Sequence, residues 1–110
     1  MILILRALFI GILLAMIAVT SWATSVVALW DTPRAVFTHP WFIATLFDAY
    51  FGFLAFWLWV AWLERTWLRR INWLVAILLF GNIAMAIYML ARLFRLPRTA
   101  TMEDVITRRP

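Results

Sequence analysis

The sequence predicts an all-α integral membrane fold, a three-helix bundle with antiparallel neighbouring helices, and three observations predict it. Of 110 residues, 67% are hydrophobic and only 14% charged, whereas apolar residues make up nearer half of a soluble domain. The mean hydropathy is +0.97. The ionisable side chains fall almost entirely outside three stretches, Ala7 to Trp30, Trp41 to Leu63 and Ile71 to Ala91. Each is long enough to cross a hydrocarbon layer about 30 Å thick at a rise of about 1.5 Å per residue. Asp48, inside the second stretch, is the exception. The short connections leave no room for a soluble catalytic module, so residues 1–96 read as one transmembrane domain.

The first helix is expected over about 7–30. It starts after Arg6 and stops at Trp30-Asp31-Thr32-Pro33, where an aromatic anchor, a charge and a proline coincide. Ala7, Gly11, Ala15, Ala18, Ser21 and Ser25 recur at steps of three and four, which aligns them on one face. Helices in lipid approach closely over small residues, so Gly11 and Ala15 read as a packing seam, with Gly52 and Gly81 as close-approach positions on the other two helices. Arg6, the apolar run and Ser21-Trp22-Ala23 imitate a secretory signal, but the run continues through Val26, Val27 and Leu29, which favours a retained span.

The connection Asp31 to Pro40 is short enough to join antiparallel helices. Pro40 before Trp41 reads as the first turn of a second helix over about 41–63. The link from Glu64 to Arg70 holds Arg65, Arg69, Arg70 and an interfacial Trp67. A third helix follows over about 71–95 and ends before Pro97. Residues 97–110 read as a polar, mobile tail, in which Thr101 and Asp104 have the spacing to cap one short turn.

The net charge of +5 comes from ten arginines with no lysine. Because these arginines flank helix ends, where guanidinium groups meet lipid phosphates, anionic lipid is the expected partner and nucleic acid is not. Using arginine alone fits a GC-rich bacterial genome and an inner (cytoplasmic) membrane. With three spans, Arg6, Arg65, Arg69 and Arg70 share one face, while Arg34, Arg92, Arg95 and Arg98 share the other with Arg108 and Arg109 further off. The positive-inside rule is then close to a tie, with a slight lean to a cytoplasmic amino terminus.

Cysteine is absent and His39 is the only histidine, which removes disulfides, thiolate chemistry and multi-histidine metal or haem sites. No metal and no cofactor is expected, and His39 reads as an exposed turn residue. Trp30, Trp41, Trp62, Trp67 and Trp73 fit interfacial belts. The deeper Trp22, Trp57 and Trp59 read as packing on lipid or on another subunit.

Polar groups from all three helices converge on one level of the bilayer. Counting from the arginine-rich second connection, Asp48 lies about 22 Å deep, Tyr88 about 25 Å, Asn82 about 16 Å, and Thr20, Ser21 and Thr24 about 20 to 26 Å. An ionised carboxylate at the centre of a helix costs about 2.5 to 3.5 kcal/mol, so Asp48 is expected to face inward towards Tyr88, Asn82, Ser21 or Thr24, with Arg92 one turn beyond Tyr88 as a further partner. The leading reading makes this cluster the glue of the bundle. Its rival makes Asp48 a proton-coupling or cation-binding acid, although no second acid lies in any span to form a relay.

The run Trp41-Phe42-Ile43-Ala44-Thr45-Leu46-Phe47-Asp48-Ala49-Tyr50, the segment Trp59 to Glu64, and Gly81-Asn82-Ile83-Ala84 followed by Tyr88, Leu93 and Phe94 resemble the domain of unknown function 1475 family of plants and bacteria. The resemblance is best over Trp41 to Leu96, and the first helix matches in character. It implies a small multi-span membrane protein with Asp48, Tyr50, Glu64 and Gly81 as part of the family pattern. Plant members carry a serine at the position of Asn82, which argues against a special role for this amide. The family lends no reaction, substrate or cofactor. The expected function is therefore a structural or accessory membrane subunit in a larger complex or homo-oligomer. The alternative is a small transporter or channel component with an ion or proton site at Asp48. An enzyme is disfavoured, because no nucleophile, base and acid converge.

Overall fold

A computed structural model describes residues 1–107; residues 108–110 of the predicted tail, with Arg108 and Arg109, lie outside the described residues. The elements are α1 (Ile2–Val26), a 3₁₀ turn (Leu29–Asp31), α2 (Arg34–Phe37), α3 (Pro40–Leu63), α4 (Trp67–Phe80), α5 (Asn82–Arg95) and α6 (Met102–Ile106). No strand forms among the described residues.

Helices α1 and α3, of 25 and 24 residues, are the two that are long and apolar enough to cross a membrane by length and composition. Their outer faces are uncovered: Ile4 is 72%, Leu14 62% and Leu58 65% exposed. An apolar surface of that extent belongs against lipid or protein. Helix α1 starts before Arg6 and ends at Val26, short of the expected Trp30, so Arg6 lies within the helix. The charge is accommodated because its Nη2 donates to the carbonyls of Leu93 (3.1 Å) and Leu96 (2.9 Å) at the end of α5. Helix α3 begins as its sequence predicts, with Pro40 in the first turn and His39 as N-cap, its Nδ1 accepting the Trp41 N–H at 3.2 Å.

The third predicted helix, 71–95, is in fact two. Gly81 closes α4 by donating its N–H to the Ile77 carbonyl (2.7 Å), while its own carbonyl accepts the Met85 N–H (3.1 Å) in the first turn of α5. At φ 56° and ψ −124°, Gly81 turns the chain where a residue with a side chain would be strained. The two helices then fold back on each other. The rings of Trp73 and Tyr88 are 4.8 Å apart, where a straight helix would hold them about 22 Å apart. Arg95, near the end of α5, lines the same cavity as Arg69 and Asn72 at the start of α4.

Helix α3 packs along α4 in the opposite sense. The Tyr50 hydroxyl donates to the Leu78 carbonyl (3.3 Å), and the Trp57 indole N–H donates to the Arg70 carbonyl (2.8 Å). Between these levels the Phe53 ring abuts Gly81. Helix α1 packs mainly on α5, so the neighbours run α3, α4, α5, α1. The core forms around the hairpin: Ile2, Met89, Leu93, Ala100 and Val105 make one cluster, and Val60, Leu63, Ile77, Ala84 and Tyr88 the other.

The tail differs from expectation as well. Thr101 and Asp104 cap α6 reciprocally, at 3.3 and 2.9 Å, and Ala100 and Val105 are buried. The Trp59 indole N–H donates to the Ile106 carbonyl at 3.0 Å, so residues 97–107 are docked and not free. Among the described residues, nothing packs on Gly11, Ala15 or Gly52 of the small-residue seam. Ala15 is exposed, and a Cβ built on Gly11 or Gly52 would meet nothing within 4 Å. Helix α1 instead meets the core through Ile2, Leu5 and Phe9 on a different set of positions.

A Cβ at Gly81 would lie 2.8 Å from Phe53 Cζ and would carry a positive φ. Gly81→Ala is expected to destabilise the fold by about 1 to 3 kcal/mol, read as a lowered midpoint in thermal unfolding followed by circular dichroism in mild detergent. Adding Phe53→Ala relieves the clash but not the backbone strain, so the double variant should not recover the Gly81→Ala loss.

Candidate functional site

The hairpin brings together residues that the straight-helix reading kept apart. Tyr88, expected deep and beside Asp48, returns to the base of the molecule, where its hydroxyl donates to Glu64 Oε1 at 3.1 Å. Its ring is 5% exposed and is held edge-on by Trp73, Phe56 and Trp59 at 4.8, 6.2 and 6.2 Å. An ordinary phenol is protonated at neutral pH, so the Tyr88 hydroxyl is the donor of this bond and the carboxylate its acceptor.

Glu64 caps the end of α3 and is the acidic centre of this base. Its second oxygen lies 3.8 Å from Arg69 Nη1, beyond the range of a short charge-assisted bond. Its backbone carbonyl accepts from Arg70 Nε at 2.9 Å, and the Arg70 guanidinium stacks 4.9 Å over Trp67. Arg95 makes no hydrogen bond or ion pair among the described residues, yet it lines a cavity of about 310 Å³ with Glu64, Arg69, Asn72 and Trp73. The base is thus net positive.

Two further arginines act on backbone carbonyls. Arg6 holds the end of α5, as described, with its guanidinium 4.7 Å over Phe94. Arg92, expected beside Asp48, turns to the tail: Nε donates to the Val105 carbonyl and Nη2 to the Thr107 carbonyl at 2.8 Å. The last carbonyls of a helix have no intrahelical partner; Arg6 supplies a donor to Leu96 and Arg92 one to Val105, while the Leu93 carbonyl also accepts the Leu96 N–H at 3.2 Å.

The other expected members of the intramembrane cluster stay separate. Ser21 and Thr24 are exposed on α1, and the Thr24 hydroxyl bonds back to the Thr20 carbonyl at 2.8 Å. Asn82 is exposed at the hairpin tip. Asp48 is exposed on α3, with no hydrogen bond or ion pair among the described residues. Tyr50 and Phe53 mark where the hairpin tip meets α3, and Asp48 follows just past it, exposed. The cluster fails to assemble because its depths for Tyr88 and Arg92 assumed an unbroken third helix. Glu64 as the partner of Tyr88 was missed for the same reason. Gly81-Asn82 inside an apolar run was the available signal, since glycine after a helical segment is a common stop.

No group of three or more His, Asp or Glu side chains converges as a metal site among the described residues. The chemistry of the base is hydrogen bonding and positive charge. Tyr88→Phe, which removes one buried donor to a carboxylate, is expected to cost about 1.5 to 3 kcal/mol. Tyr88→Ala, which also empties the aromatic socket, should cost about 3 to 5 kcal/mol. Denaturant unfolding in micelles gives both values: an undiminished stability of Tyr88→Phe would contradict a role for the hydroxyl, and equal losses for the two variants a role for the ring.

The family model described as a protein of unknown function (DUF1475) matches residues 1–108, so the likeness extends through α1. No curated protein and no solved structure matches the chain.

Proposed function

The chain belongs to the DUF1475 family of proteins of unknown function, and within it we propose a structural or accessory membrane subunit: two spans, α1 and α3, with the α4–α5 hairpin entering from one side. Each hairpin helix has 14 residues, about 21 Å, which falls short of the roughly 30 Å hydrocarbon thickness. A reversal at that depth requires its backbone groups to be satisfied within protein. Gly81 meets that requirement, being buried with both its N–H and its carbonyl bonded.

The fold-back also supports one orientation over the near-tie in arginine counts. Arg6 bonds to the end of α5, Arg92 to the tail, and Arg95 lies beside Arg69. With Arg65, Arg70 and Arg98 they gather on the face of the α3–α4 connection, leaving Arg34 for the opposite connection. The positive-inside rule then assigns the amino terminus, the hairpin base and the docked tail to the cytoplasm, in keeping with a bacterial inner membrane.

The observation that carries the accessory role is Asp48, exposed on α3 beyond the hairpin tip and without a hydrogen bond or ion pair among the described residues. A carboxylate at such a level is costly against acyl chains. A neighbouring subunit's helix, from a larger complex or a second copy, would shelter it. A second reading, a small transporter or channel component with a proton or ion site, draws on the same uncommitted carboxylate.

Two measurements test these readings. The chain has no native cysteine, so single cysteines report cleanly on sidedness. Thr101→Cys is expected to react from the same side as Thr66→Cys, and Thr38→Cys from the opposite side. Thr101→Cys reacting with Thr38→Cys would restore a third full span. In membranes, Asp48→Leu is expected to break the native assembly seen in mild-detergent size analysis, while Asp48→Asn, which keeps hydrogen bonding, largely preserves it. An Asp48→Asn protein that assembles but loses a pH-dependent flux present in the native protein would favour the transport reading. A native protein that runs as a monomer, unchanged by Asp48→Leu, would overturn the accessory role.

A further inference from the structure

We infer that the cavity between the start of α4 and the end of α5 binds a phosphate oxyanion, supplied by the headgroup of an anionic phospholipid. The cavity, about 310 Å³, is lined by Glu64, Arg69, Asn72, Trp73 and Arg95. Two guanidiniums reach it from opposite arms of the hairpin. Arg95 has no hydrogen bond or ion pair among the described residues, and Arg69 is held only at 3.8 Å from Glu64, with its side chain 68% exposed. Two arginines that share one carboxylate, held at 3.8 Å from Arg69 alone, keep donors for a phosphate, which accepts two parallel N–H bonds from each planar fork.

Glu64 opposes an anion, but its charge is already shared. One oxygen accepts from the Tyr88 hydroxyl and the other faces Arg69. Two cations against one carboxylate leave the cavity with a single net positive charge, which matches a phosphodiester better than a dianion. Asn72 supplies amide donors and acceptors for the polar atoms beside the phosphate, and the Trp73 indole gives an apolar wall for the glycerol portion. The site adjoins Glu64, the C-cap of the long apolar α3. That is the level at which lipid phosphates lie on the membrane reading above, and the lipid source rests on that reading. The oxyanion chemistry rests on the cavity alone.

The full chain, purified in mild detergent and delipidated, is titrated with phosphatidylglycerol and with phosphatidylcholine and examined by native mass spectrometry. One phosphatidylglycerol is expected to bind in preference to phosphatidylcholine. Arg69→Gln and Arg95→Gln should each weaken it about tenfold, the loss of one charge-assisted contact. Arg98→Gln, which removes the same charge nearby, should change it little. Circular dichroism checks that each variant keeps its fold, and if one does not, the other arginine decides. Competition by inorganic phosphate supports the oxyanion site directly. Binding of inorganic phosphate with no selection of phosphatidylglycerol keeps the oxyanion site and removes the lipid source, independently of the topology test. Equal binding of the two lipids with no effect of phosphate, or equal weakening by Arg98→Gln, overturns the proposal in favour of diffuse charge.

Discussion

The chain reverses direction between Phe80 and Asn82 through a single linking residue, and the placement of Tyr88, Arg92 and Arg95 depends on that reversal. Gly81 supplies a positive φ and lets the Phe53 ring approach where a Cβ would stand. Its N–H and carbonyl serve both flanking helices, so the linking residue itself has neither group unpaired. Once the chain has turned, Tyr88 meets Glu64, Trp73 meets Tyr88, and Arg95 returns to the level of Arg69. None of these pairings is open to a continuous helix.

The second constraint is the cost of leaving helix-end carbonyls without donors in an apolar setting. Arg6 and Arg92 meet it at the ends of α5 and α6. Both side chains thereby tie distant segments together: the start of the chain to the end of α5, and α5 to the tail. This explains why Ile2, Met89, Leu93, Ala100 and Val105 share one core although they come from four parts of the sequence. The aromatic socket of Phe56, Trp59 and Trp73 completes the other cluster around Tyr88.

Packing is therefore concentrated at one end. At the other, α1 and α3 extend past the hairpin with their apolar faces uncovered, carrying Asp48, Ser21 and Thr24. Among the described residues nothing shelters Asp48, and the proposed association with a further helix follows from that imbalance. The arginine-rich base offers the complementary chemistry, with positive charge in excess of what Glu64 neutralises.

Composition and spacing alone determined that the protein is helical, that α1 and α3 are long apolar helices, and that Pro40 and the Thr101–Asp104 pair mark helix starts, because periodicity and caps are local properties. The family was also legible in the sequence, and a match over residues 1–108 bears it out. What only the tertiary structure decided is the division of the third helix, the docking of the tail, and hence which polar groups meet. Tyr88 and Arg92 are displaced from Asp48 because depth counted along a sequence holds only while the helix continues. A glycine within an apolar run reads equally as a packing position or as a turn. Phe53, 28 residues before Gly81, is the contact that selects the turn, and such a contact has no local signature.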